Sequence, residues 1–134
     1  TGETQIWLET SFDTTGTRTI AARVTGTSGV AQVIPFAFEV KYAPPSITVP
    51  DDFTTTEGQT HTLNASVTSE LSISSVKWYL SEFYDEYELI PGLTTIAPQY
   101  TFSDAGEYDI WVEVTDSAGN KSEDWFHVTV DTAV

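Results

Sequence analysis

The residues best suited to chemistry in this chain are its carboxylates. Twenty Asp and Glu stand against five Lys and Arg, a formal net charge of −15, with two histidines and no cysteine. Carboxylates in such number could work as acid–base pairs or as oxygen ligands for a hard cation. Thiolate chemistry, disulfides and Cys-based metal sites are excluded. Calcium takes several closely spaced oxygen ligands. Asp51 with Asp52, and Asp116 with Asn120, are the candidate ligands, and Asp85, Glu86 and Glu88 form a third acidic group. None follows the spacing of an EF-hand loop. Asp and Asn also close turns through their own side chains, so no cofactor is expected, structural calcium being the one ion the pattern admits.

A hairpin centred on residues 116–120 would set His127 opposite Asp109. That pair has the composition of a catalytic dyad, but its commoner use is a cross-strand charge pair on a solvated face. No serine sits in a nucleophile elbow and no Gly-rich loop opens a helix. The chain is therefore expected not to be an enzyme. Its acidity opposes binding to nucleic acid, whose phosphates need cations. No apolar run is long enough for a membrane-spanning helix, and no membrane insertion is expected. The sequence starts without Met and shows no leader pattern, as expected of a processed or excised piece.

The same hairpin register pairs Trp111 with Trp125 on the outward side, and Tyr79 falls on that side of the neighbouring strand. Exposed Trp and Tyr are common contact anchors. Tyr79, Trp111 and Trp125 are thus the candidate contact residues, for a neighbouring copy or repeat or for a glycan. The structural alternative is cross-strand stabilisation, about 0.2–1 kcal/mol per pair. Residues 82–88, acidic and aromatic, are a second candidate contact or a charged edge guarding against aggregation. Asn64 and Asn120 each open an N-glycosylation triplet.

Positioning these side chains takes strands. From Tyr108 to Val114 apolar residues alternate with Asp109, Trp111 and Glu113, the period of a strand with one face in a core. Residues 124–130 alternate likewise, with Phe126, Val128 and Val130 inward. Upstream, residues 46–49 read as a strand, 61–67 as a strand with Leu63, Ala65 and Val67 inward, and 75–80 as a strand carrying Trp78. Residues 51–52 and 57–59 mark turns.

Residues 1–40 laid on 91–130 align without a gap, with eleven identities mostly at inward positions and turn glycines: Gly2/Gly92, Thr4/Thr94, Ile6/Ile96, Phe12/Phe102, Gly16/Gly106, Ile20/Ile110, Val24/Val114, Thr25/Thr115, Gly29/Gly119, Phe36/Phe126 and Val40/Val130. This is read as a tandem repeat of about 90 residues. Residues 1–43 are then the C-terminal half of a repeat, and 44–134 a complete one, joined at Tyr42-Ala43-Pro44-Pro45. Half a repeat leaves Ile6, Leu8, Ile20, Val24, Phe36, Phe38 and Val40 in need of cover. Arg18 stands where the second repeat has Tyr108, a departure from the pattern that leaves the first repeat's corner open.

The stretch from Asp104 through Gly106 to Tyr108 resembles the tyrosine corner of immunoglobulin-like sandwiches. Ala65, Trp78 and Ile110 resemble their Cys–Trp–Cys set with aliphatic packing in place of the disulfide. Residues 100–120 as a whole look like PKD-type and bacterial immunoglobulin-like modules, although the PKD hallmark Trp-Asp-Phe-Gly-Asp-Gly is absent. The resemblance implies an all-β, immunoglobulin-like antiparallel sandwich. It also implies a structural or adhesive module of an extracellular or cell-surface protein or filament, associating with other copies. A carbohydrate-binding accessory module is the alternative.

Overall fold

The structure, a computed structural model, describes residues 9–12 and 14–134. It is all-β among those residues and forms two units, Thr1–Tyr42 and Ala43–Val134. The expected cover-seeking residues Ile6 and Leu8, and the repeat matches at Gly2, Thr4 and Ile6, lie outside the described residues.

The first unit is a hairpin of β1 (Gly16–Thr25) and β2 (Ala31–Val40). Its turn is closed by Gly26 N–H to Val30 O at 2.8 Å and Gly29 N–H to Gly26 O at 2.9 Å. Gly29 sits at φ +84°, a left-handed conformation that a Cβ disfavours. The hairpin pairs Gly16 with Val40 and Ile20 with Phe36.

The second unit contains β3 (Ser46–Thr48), β4 (Phe53–Thr56), β5 (Thr60–Thr62), β6 (Ser66–Thr68), β7 (Ile73–Glu82), β8 (Glu88–Leu89), β9 (Gln99–Thr101), β10 (Gly106–Asp116) and β11 (Lys121–Asp131). One sheet runs β4-β11-β10-β7-β8; β3 pairs with β6, and β5 with β9. Alternation along β10 and β11 drives Ile110, Val112, Val114, Phe126 and Val128 into a core with Trp78, Leu63, Ala65 and Phe102. Trp78 is fully buried, and its indole N–H donates to Thr95 O at 2.8 Å. The tyrosine corner is present: the Tyr108 hydroxyl donates to Asp104 O at 3.0 Å.

Three expectations need correction. The strand expected over residues 61–67 is broken. Ala65 N–H bonds Leu63 O at 2.9 Å, a tight turn that hands the chain from the β9 partner to the β3 partner. Leu63 and Ala65 still reach the core. Residues 53–56, read only as the space between two turns, form β4, parallel to β11. Gly106 was expected to define the corner, but an added Cβ there would meet only ordinary contacts, at 3.5 Å from Phe83 and Tyr108.

The first unit's corner, left open by Arg18, is closed by that residue itself. The Arg18 guanidinium donates to Thr14 O at 3.0 Å and to Thr15 O at 3.1 Å. Thr14 precedes Asp104 by 90 positions, as Arg18 precedes Tyr108. Arginine therefore makes the same link, four residues back, that the tyrosine hydroxyl makes in the second unit. The coincidence extends further. Gly106 pairs with Val130 and Ile110 with Phe126, and Asp116 N–H bonds Asn120 O while Gly119 N–H bonds Asp116 O. Each is the first hairpin's bond or pair moved along by 90 residues.

Candidate functional site

The side chains that alternate outward from the core fall into transverse rows across β11, β10 and β7, because both pairings are antiparallel and in continuous register here. Trp111 lies opposite Trp125 on one side and Tyr79 on the other, and Tyr79 opposite Leu89 on β8. The structure thus brings Tyr79, Trp111 and Trp125 into one row, with Trp125 about half exposed (50%). Glu123, Glu113 and Lys77 form the row on one flank, and His127, Asp109 and Ser81 the row on the other.

Tyr87 completes the aromatic row. Its ring meets Trp111 edge-on with centroids 5.2 Å apart. Tyr79, Tyr87, Trp111, Glu113 and Glu123 enclose a shallow hollow of about 190 Å³. The Trp111 indole N–H donates to Glu123 Oε2 at 3.1 Å, which fixes the ring's orientation. Lys121 Nζ lies 3.4 Å from Glu113 Oε1 at the rim.

Tyr87 is held by the turn after β7, where two consecutive non-glycine residues, Phe83 (φ 50°) and Tyr84 (φ 61°), adopt the left-handed conformation. Each such residue costs about 1–2 kcal/mol. The turn is held by Phe83 N–H to Glu107 O (3.0 Å), Asp85 N–H to Glu82 O (3.1 Å) and Ser81 Oγ–H to Asp85 O (2.6 Å). It leaves Phe83 and Tyr84 63% and 80% exposed. The second contact candidate at residues 82–88 is therefore contiguous with the first. Sequence reading separated the two because nothing local announces a left-handed aromatic pair. The acidic surroundings of the platform are present as expected, with Glu113 and Glu123 paired beside Trp111 and Trp125.

His127 meets Asp109 as the register implied, with Nδ1 2.7 Å from Asp109 Oδ1. Its Nε2 lies 2.6 Å from Glu107 Oε2. Both ring nitrogens face carboxylates, and as the imidazolium the ring donates to both. In that state no nitrogen is left to accept a proton from a nucleophile. The neighbouring Ser81 hydroxyl is buried and spent on Asp85 O. The bonds to Asp109 and then Glu107 hold the His127 pKa above its ordinary 6.5, with burial opposing. Bonds from His127 and then Thr129 hold Glu107 below its ordinary 4.5. The remaining neighbours are Tyr84, stacked on the ring at 6.4 Å, and Asp52, which accepts the His127 backbone N–H at 2.7 Å.

A pH dependence follows. A raised histidine stabilises the fold fully below its unfolded value, near 6.5, and loses that contribution as pH rises through the higher folded value. A lowered glutamate contributes above 4.5 and fails as pH falls through its folded value. The cluster is expected to stabilise the unit most between these two values. Thermal unfolding across pH should show a decline above pH 6.5 that is flattened in His127→Gln; an unchanged alkaline limb in that variant would contradict it.

The candidate calcium ligands are placed apart. Asp116 is buried; its Oδ1 accepts Ala118 and Asn120 backbone N–H groups and its Oδ2 the Asn120 side-chain amide, each at 2.9 Å. This carboxylate faces N–H donors of its own turn. Burial would raise its pKa, but the bonds from Asn120, Ala118 and Gly119 together outweigh that and hold it below its ordinary 3.8. Asp52 is turned to His127, and Asp51 is exposed. Among the described residues no three Asp, Glu or His side chains converge as a metal set. Of the glycosylation candidates, Asn64 is exposed and Asn120 is half-buried against Asp116.

No protein-family model matches the chain, and no curated protein matches it. Among solved structures, it is similar to the PKD domain of human KIAA0319, at 20% identity and a TM-score of 0.53, over 69% of this chain and 86% of that one. It also matches DIP-gamma IG1+IG2, at 13% identity and 0.48, over 74% of this chain and 54% of that one. A superoxide reductase from Ignicoccus hospitalis matches at 14% and 0.47, over 67% and 82%. The first likeness establishes the fold, an immunoglobulin-like, PKD-type β-sandwich.

Proposed function

We propose that this chain is a non-enzymatic structural or adhesive module of an extracellular surface protein or filament, which associates with neighbouring copies through exposed sheet faces. The observation that carries this reading is the row Trp125–Trp111–Tyr79, widened by Tyr87, on the open side of the five-stranded sheet. Trp125 and Tyr87 are exposed and Trp111 and Tyr79 half-buried between them, and contiguous surface aromatics of this kind serve as contact anchors. The doubly engaged His127 and the buried Ser81 argue against catalysis.

The half-repeat reading belongs here too. The hairpin register, turn bonds and corner of Thr1–Tyr42 match those of β10–β11 at an offset of 90 residues, which supports a shared repeat. Phe126 is 2% exposed, whereas its counterpart Phe36 is 52% exposed. A complementary surface from a neighbouring copy or repeat would close the first unit's face.

Changing Trp111 and Trp125 to Ala together should weaken self-association about 30-fold, the scale of losing one contact anchor worth about 2 kcal/mol. Sedimentation at graded concentration measures it, and unchanged association would reject the reading. The second reading, sugar stacking in the Tyr79–Tyr87–Trp111 hollow, is favoured instead if glycan binding is found and disappears in the same variant.

A further inference from the structure

We propose that copies join unequally, the apolar face of the β1–β2 hairpin of one copy seating on the aromatic row of the Ala43–Val134 unit of the next. This rests on the association of copies proposed above and names the two surfaces that meet.

The hairpin offers a sheet face with Val24, Ile34 and Phe36 exposed, all at inward positions by their match to β10–β11. The aromatic row is a second sheet face with apolar side chains standing out of it. Two such faces pack directly on one another, about 10 Å apart.

Charge decides which face meets which. Between Gly16 and Val40 the chain holds three charges, Arg18 on the face of Phe36 and Val24, and Arg23 and Glu39 on the opposite face. Between Gly106 and Asp131 it holds seven carboxylates against Lys121 alone. Across the whole units the net charges are −1 and −14. Aromatic row against aromatic row would press Glu113 and Glu123 onto their own counterparts, and juxtaposed like charges disfavour a contact. Hairpin against hairpin would leave the aromatic row uncovered. Hairpin on aromatic row covers both faces and sets a nearly neutral unit, net −1, against the strongly acidic one. Arg18, on the hairpin's inward face by its pairing with Phe38, then faces an acidic neighbourhood. A contact between two different surfaces does not close on itself, so copies add in open chains unless the rotation returns to the start.

Two full-length variants test this. Val24→Ser with Phe36→Ser removes the hairpin surface, and Trp111→Ala with Trp125→Ala removes the aromatic row. Circular dichroism and thermal unfolding check that both retain their sheets. Each alone should be monomeric by light scattering. Mixed in equal amounts they should form a one-to-one dimer and nothing larger, because each keeps the surface the other has lost. The absence of a complex on mixing, or growth of either variant alone like the unaltered chain, would overturn the proposal. If the unaltered chain never associates, the failure lies in the association reading itself.

Discussion

Replacing Trp78 by alanine is expected to bring the second unit close to unfolding. Trp78 is the largest fully buried side chain and stands on β7, opposite Val112 on β10. Truncating a buried aromatic costs about 3–5 kcal/mol through lost apolar burial and the cavity left behind. The Thr95 carbonyl also loses its indole donor. A domain of this size is stable by about 5–15 kcal/mol in all, so the variant should unfold at a far lower urea concentration. Trp78→Phe keeps much of the volume and loses chiefly the hydrogen bond, and should fall between the two. A Trp78→Ala protein with an unchanged unfolding midpoint would contradict the placement of this ring at the centre of the core.

The second large effect is expected at Asp116. Its buried carboxylate binds the β10–β11 turn from within, through two backbone N–H groups and the Asn120 amide. Asp116→Ala removes all three bonds. Water reaches the turn and compensates in part, so the unfolding midpoint should fall clearly, but by less than in Trp78→Ala. The acid side gives the sharper signature. A carboxylate held below 3.8 stabilises the fold above that value and loses its contribution as pH falls through its folded value. The variant should therefore lack that part of the acid decline, and retention of the full decline would contradict the assignment. The register that aligns Trp111 with Trp125 is set from this turn, so Asp116 also positions the aromatic row.

Much of this arrangement was legible in the residues because hairpins are local. The Asp116–Asn120 turn and the period-2 pattern on both sides leave one register, and that register places Trp111 against Trp125 and His127 against Asp109. Tyr108 and Trp78 were legible through the resemblance of their surroundings to the tyrosine corner and core Trp of immunoglobulin-like sandwiches. What escaped was non-local. A parallel partner such as β4 has no turn to fix it, and four residues are too few for a pattern. The break at Leu63–Ala65 preserves inward alternation while changing the hydrogen-bonding partner, so the pattern shows a single strand where there are two short ones. Arg18 took over the corner because a long guanidinium reaches the same carbonyl, a substitution that chemical similarity does not suggest. The joining of Tyr87 to Trp111 depends on the left-handed turn at Phe83 and Tyr84, whose bonds come from Glu107 on another strand.

Light scattering of residues 1–134 beside residues 43–134, over a range of concentrations, tests the assembly of copies most directly. The longer protein, which carries both the hairpin face and the aromatic row, should gain mass steadily with concentration. The shorter one, a sandwich with its own core, should remain a folded monomer. A longer protein that stays monomeric at every concentration would contradict assembly through these faces.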